Sequence, residues 1–142
     1  MTKVSKEEKM KRKIKRILNG IEEASSRKHH YFFTGGSVEI RSLSLSYNVA
    51  KHYNPEDPER YIRKFLEKRP KMKEIVREIK EEAYKDTKDD VLNRIRRIKT
   101  TAKKLSDNMY EVRVRVDFAR RYYYREITFT REEFIKFLEE NL

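Results

Sequence analysis

Tyr110, Val112, Val114, Val116 and Phe118 alternate without a break with Glu111, Arg113, Arg115 and Asp117. Successive side chains of a β-strand point to opposite faces, so this run has one apolar side and one charged side. Such a strand belongs in an antiparallel sheet that is covered on one face and open on the other. Ala119-Arg120-Arg121 supplies a turn, and Tyr122 to Phe129 supplies the returning strand. Thr130-Arg131-Glu132-Glu133 has the form of a capping box and predicts a short final helix carrying Phe134, Ile135, Phe137 and Leu138.

The rest of the chain reads mostly at helical period. Residues 3–18 form a basic helix in which Met10, Ile14, Ile17 and Ile21 share one face. Asn19-Gly20 either ends it, as the pair suits a left-handed cap, or the helix runs on to about Ser25. His29 to Phe33, a Thr34-Gly35-Gly36-Ser37 turn and the alternating Val38 and Ile40 predict a first hairpin. Apolar parity then shifts to Leu43, Leu45, Tyr47 and Val49, which calls for a bulge near Arg41-Ser42 or a change into helix. Asn54-Pro55-Glu56-Asp57-Pro58 starts a helix with Tyr61, Ile62, Phe65 and Leu66 that stops at Pro70. A second, about 71–85, buries Met72, Ile75, Val76, Ile79 and Ala83. A third starts at Thr87-Lys88-Asp89-Asp90, with Val91, Ile95, Ile98, Ala102 and Leu105 at spacings of 4, 3, 4 and 3. The expected fold is α+β: antiparallel β-hairpins packed with a helical middle region, about five helices, in a single compact domain. Its parts are a basic N-terminal helix or arm (1–28), a first hairpin (29–50), a helical region (54–106), and a second hairpin with the C-terminal helix (109–142).

Leu, Ile, Val and Phe make up 34 of 142 residues. That is about 24%, above the level of roughly 20% at which a highly charged chain stays disordered. The 36 basic residues outnumber the 24 acidic ones, for a formal net charge of +12. Abundant charge of both signs, no Cys, no Gln and three Gly fit a heat-adapted, thermophilic surface of ion-pair networks. Such networks do not account for twelve unmatched cations, which repel one another and call for an anionic partner. Nucleic acid comes first, ahead of an anionic membrane or an acidic protein. Residues 1–28 carry +6, 29–70 carry +2, 71–106 carry +5 and 107–142 carry −1.

The surplus picks out the candidate contacts. Lys9, Lys11, Arg12, Lys13, Lys15 and Arg16 cover the outer faces of the first helix. Arg94, Arg97 and Lys104, with Arg96, Lys99 and Lys103, do the same for the expected third helix. Both surfaces suit phosphate contacts. On the open face of the second hairpin, Arg113, Arg115, Tyr122 and Tyr124 interleave cations with aromatics, as a stacking platform for unpaired bases does. Glu111, Asp117 and Glu126 share that face, and cross-strand ion pairs are the competing use of both arginines. Arg120 and Arg121 at the hairpin tip are placed to enter a groove. Residues 44–66 resemble a helix-turn-helix, with Ala50 in the first helix, Asn54-Pro55 in the turn, and Arg60, Arg63 and Lys64 on the recognition helix.

Catalytic and metal chemistry lack their residues. Without cysteine there are no disulfides, thiolate sites or cysteine nucleophiles. Of the three histidines, His29 and His30 are adjacent and point apart on a strand, and His52 stands alone. No phosphate-cradling glycine loop occurs, and Tyr122, Tyr123 and Tyr124 read as strand packing rather than a nucleophile. The expectation is no catalytic residue, no metal and no cofactor. No apolar run nears the ~18 residues of a membrane span, and the N-terminus lacks the apolar stretch of a secretory signal. An intracellular protein, in the cytoplasm of its host cell, follows. The reading is a DNA- or RNA-binding protein, DNA ahead of RNA, acting as a homodimer with no membrane contact. Two alternatives stand beside it. One is a protein-interaction module, such as a viral or plasmid accessory protein or an inhibitor of a host factor, for which the Met10–Ile21 seam has coiled-coil spacing. The other is a small metal-independent ribonuclease.

Overall fold

A computed structural model describes residues 5–27 and 36–142. In chain order these form α1 (Lys6–Arg27), β1 (Ser37–Glu39), a 3-10 turn (Arg41–Leu43), β2 (Leu45–Ser46), α2 (Tyr47–Tyr53) and α3 (Pro58–Glu67). There follow α4 (Pro70–Asp86), β3 (Arg97–Ser106), β4 (Met109–Phe118), β5 (Arg121–Thr130) and α5 (Arg131–Asn141). The strands make one antiparallel sheet in the order β1-β3-β4-β5, with β2 also paired to β3. The α+β class expected from the sequence is what the chain adopts.

The alternation in β4 sets the layering. Tyr110, Val112, Val114, Val116 and Phe118 are buried, together with Ile98, Thr100 and Ala102 of β3. Ile14, Leu18 and Ile21 of α1, Met72, Ile75, Val76, Ile79 and Ala83 of α4, and Phe134, Phe137 and Leu138 of α5 complete the same core. The five residues expected to be buried on 71–85 are all buried. In β5, Ile127 and Phe129 sit on the core side as well, half-buried at the sheet margin. The helices pack on this one side, and the opposite side of β3, β4 and β5 carries polar and charged side chains.

Local chemistry explains most boundaries. Asp57 caps α3 by accepting from the Arg60 N–H at 3.1 Å, and Pro58 follows where a missing N–H costs nothing. Pro70 opens α4 in the same way. The helix α1 runs through Asn19-Gly20 to Arg27, and a Cβ at Gly20 would meet nothing within 4 Å. At Thr130 the capping box is closed: its hydroxyl accepts the Glu133 N–H at 3.2 Å and Glu133 accepts the Thr130 N–H at 2.9 Å. Those bonds hold the Glu133 carboxyl below the ordinary value of 4.5. A group whose folded value is depressed adds stability above the unfolded value and loses it as pH falls through the folded one. Urea unfolding from pH 6 to pH 3 is therefore expected to show a stability loss below about pH 4.5 that Glu133→Gln flattens.

Three expectations are corrected. The helix from Thr87 does not form: residues 87–96 make turns and β3 follows, so the helical region expected at 54–106 ends at Asp86. Its apolar spacing served both periods, because Ile98 and Ala102 lie on one face of a strand as well as of a helix. Between them is Thr100, fully buried, whose hydroxyl donates to the Leu43 carbonyl at 2.6 Å. A satisfied hydroxyl thus fills a core position that an apolar pattern leaves blank. The number of helices survives because α2 replaces the one lost. The first hairpin, expected over 29–50, is also different. Its arm His29–Phe33 lies outside the described residues, and β1 pairs with β3, Val38 opposite Ala102. The parity shift after Ile40 comes from the 3-10 turn at Arg41–Leu43 and then α2. Finally, the Met10–Ile21 seam is spent inside the chain. Ile14 and Ile21 are buried and Met10 and Ile17 pack against the core, so it is not free for a coiled coil.

Candidate nucleic-acid interface

The helix α1 is held by Ile14, Leu18 and Ile21, while Lys6, Lys9, Lys11, Arg12, Lys13, Lys15 and Arg16 are all exposed. None of these seven is ion-paired with a described residue. Lys9, Arg12, Lys13 and Arg16 follow the i, i+3, i+4, i+7 spacing of one helix face, and Lys11 and Lys15 flank the core stripe on the other side. Lys9/Lys13, Lys11/Lys15 and Arg12/Arg16 are like-charge pairs four residues apart, each costing about 0.2–0.5 kcal/mol of helix stability. Glu7 and Glu8 in the first turn complement the helix dipole and offset part of the charge.

The second surplus moves with the corrected secondary structure. Residues 71–86 of α4 are neutral, with five basic and five acidic groups. The whole +5 of 71–106 lies in residues 87–106, seven basic against two acidic. Strand alternation then divides it. Arg97, Lys99 and Lys103 face the open side of the sheet, while Lys104 turns to the helices and donates to Glu22 of α1 at 2.7 Å, which raises its pKa. Arg94 lies before β3 and pairs with Glu59 of α3 at 3.1 Å.

On the open face the expected set is assembled: Arg113, Arg115, Tyr122 and Tyr124 share it, with both rings exposed. Its arginines are engaged. Arg113 pairs with Glu126 at 2.7 Å and stacks over Tyr124 at 4.1 Å. Arg115 pairs with Asp117 at 2.6 Å and stacks over Tyr122 at 3.8 Å. Arg97–Glu39 (3.3 Å) and Lys103–Glu111 (3.6 Å) continue the pattern. The competing use of these arginines, cross-strand and same-strand ion pairing, is therefore realised. Lys99 is the exception, unpaired among the described residues and set opposite Arg115 in the ladder. The sequence places it among the cations of a third helix, and the strand moves it to the open sheet face. The alternation Ile98, Thr100, Ala102 is the signal that would have found it.

At one end of the molecule α3, the 87–96 turns and the β4–β5 tip are linked. In the segment read as helix-turn-helix-like, α2 and α3 are consecutive helices joined by residues 54–57, and Tyr53 and Tyr61 stack between them at 5.4 Å. Arg60, Arg63 and Lys64 are exposed on α3, and Arg63 reaches Asp57 at 3.9 Å. Of the two tip arginines, Arg121 donates to the Leu92 carbonyl at 3.2 Å, the Ala83 carbonyl at 3.5 Å and the Asn93 side chain. Arg120 is exposed, unpaired among the described residues, and has φ 60°.

Other chemistry finds little footing. Among the described residues no three His, Cys, Asp or Glu side chains converge as metal ligands, and His52 lies edge-on to Tyr53 at 5.2 Å. Tyr123 donates its phenol proton to Asp86, a bond that raises its pKa and holds it in the form least suited to nucleophilic attack. A groove of about 540 Å³ beside β5 is lined by Glu78, Glu81, Glu82, Lys85 and Arg125, an acidic set that would repel phosphate. Among the described residues no helix is long and apolar enough to cross a membrane. No protein-family model, no curated protein and no solved structure matches this chain.

Proposed function

We propose that this protein binds nucleic acid, DNA ahead of RNA, chiefly through phosphates. The observation that carries this reading is the set of seven exposed cations on residues 6–16 of α1, unpaired among the described residues. In and beside the sheet most cations are matched: Arg94, Arg97, Lys103, Lys104, Arg113, Arg115 and Arg125 each have a carboxylate. A chain that pairs most cations on the open face of its sheet and sets self-repelling charge at four-residue spacing along α1 has an external anion to meet there. The cationic faces of α3 and the hairpin tip add contacts at the linked end. A homodimer would double this footprint.

Counterion release makes the reading measurable. If α1 meets four phosphates of a duplex, log K is expected to fall with log salt with a slope of about −3 to −4. Titrating labelled single- and double-stranded oligonucleotides at 50 and 200 mM salt reads it directly. No binding at the lower salt with micromolar protein would overturn the reading and favour a protein-interaction module. Cleavage of an RNA probe would favour the ribonuclease.

A further inference from the structure

Adjacent arginines at the β4–β5 tip stand in opposite situations. Phe118 pairs with Arg121, so the loop between the strands is two residues, Ala119 and Arg120. At φ 60° Arg120 occupies the left-handed region, where its Cβ crowds the backbone and glycine is free of strain. Glycine or asparagine is the structural choice for such a site. Arginine there contributes nothing visible to the fold: it is exposed and unpaired among the described residues. The strain is maintained by Arg121, whose bonds to the Leu92 and Ala83 carbonyls and to Asn93 clamp the tip against the end of α4. Strained residues held by an over-determined surround are a mark of functional positions.

We propose that Arg120 inserts its guanidinium into the narrow minor groove of an A·T-rich duplex, and that Arg121 positions it by fixing the tip. This rests on the nucleic-acid reading above and narrows its partner. A minor groove about 6 Å wide admits one side chain, and where A·T tracts narrow it further its negative potential attracts arginine. The tip suits this: its other loop residue is Ala119, so little bulk stands beside the guanidinium. The Arg94–Glu59 bridge and the Asn93–Arg121 bond tie the tip to the first turn of α3. A duplex across this end would therefore meet Arg60 and Lys64 together with the tip.

The test uses the full chain and Arg120→Gly, with anisotropy titrations in 0.1 M salt against an A·T-tract duplex, a G·C duplex and a thymidine single strand. Relief of strain is expected to raise the melting temperature by about 2–4 °C. Affinity for the A·T duplex is expected to fall about tenfold, with the other two probes changed less than about twofold. Unchanged A·T binding, or an equal loss on all three probes, would overturn the groove assignment and leave the nucleic-acid reading standing. Failure of the unsubstituted chain to bind any probe would instead remove the nucleic-acid reading, and this inference with it.

Discussion

Alanine at Lys9, Arg12, Lys13 and Arg16 together is expected to lower duplex affinity roughly 10³-fold in 0.1 M salt and make the salt slope shallower by about 3–4. Each lost phosphate contact removes close to one released counterion, and the four side chains share a face from which one duplex can reach them. The fold is expected to survive and to gain. All four residues are exposed, alanine has the highest helix propensity, and the change removes the Lys9/Lys13 and Arg12/Arg16 repulsions. A stability gain of about 0.5–1 kcal/mol by urea unfolding, beside the lost affinity, would separate a binding role from a structural one. Equal affinity before and after the change would move the interface away from α1. Destabilisation would mean that these cations have partners in the folded chain.

The same logic joins α1 to Arg120. At both places the local choice of residue works against the stability of its own element, by like-charge spacing in one case and by a left-handed backbone in the other. Sequences agree with their folds at most positions, and local conflicts concentrate where something else is being served. The open sheet face shows the contrast. There Arg113 and Arg115 have carboxylates and aromatic rings, and little charge remains for a ligand except at Lys99.

Much of this is legible in the amino-acid sequence. The β4 run fixes its own burial because strict alternation over nine residues admits one period. The pairing Arg113–Glu126 is not legible in the same way: a turn of Ala119-Arg120-Arg121 would set Arg113 opposite Ile127, whereas the loop is two residues, Phe118 pairs with Arg121, and Arg113 falls opposite Glu126. The capping signals at Asp57 and Thr130 are local, involving residues three apart, and such signals survive any tertiary context. What misled was β3. Four apolar residues at 3-4-3 spacing imitate a helix, and the evidence against it was tertiary: a buried threonine bonded to Leu43, 57 positions away. The different duties of Arg120 and Arg121 were equally hidden, since the carbonyls that hold Arg121 come from α4 and the turn after it.

Asn141→Ala is expected to destabilise the protein by about 3 kcal/mol and lower its melting point by roughly 8–12 °C. The helix α4 has Arg69 at its N-cap, with no side-chain cap from its own neighbourhood. Its first N–H groups are met from the far end of the chain. The Asn141 side-chain carbonyl accepts from Lys71 at 3.1 Å and Met72 at 3.2 Å, and its amide donates to the Phe137 carbonyl at 2.8 Å. Asn141 is fully buried, so water cannot replace these bonds and alanine strands two donors beside the core. This cap also fastens α5 to α4, which makes its loss larger than the ~1 kcal/mol of an exposed cap. Asn141→Leu separates bonding from packing, because leucine restores the volume but accepts no hydrogen bond. Urea unfolding at pH 7 is expected to place Leu near Ala. A leucine variant as stable as the unsubstituted chain would mean that Asn141 fills space and that α4 needs no cap from α5.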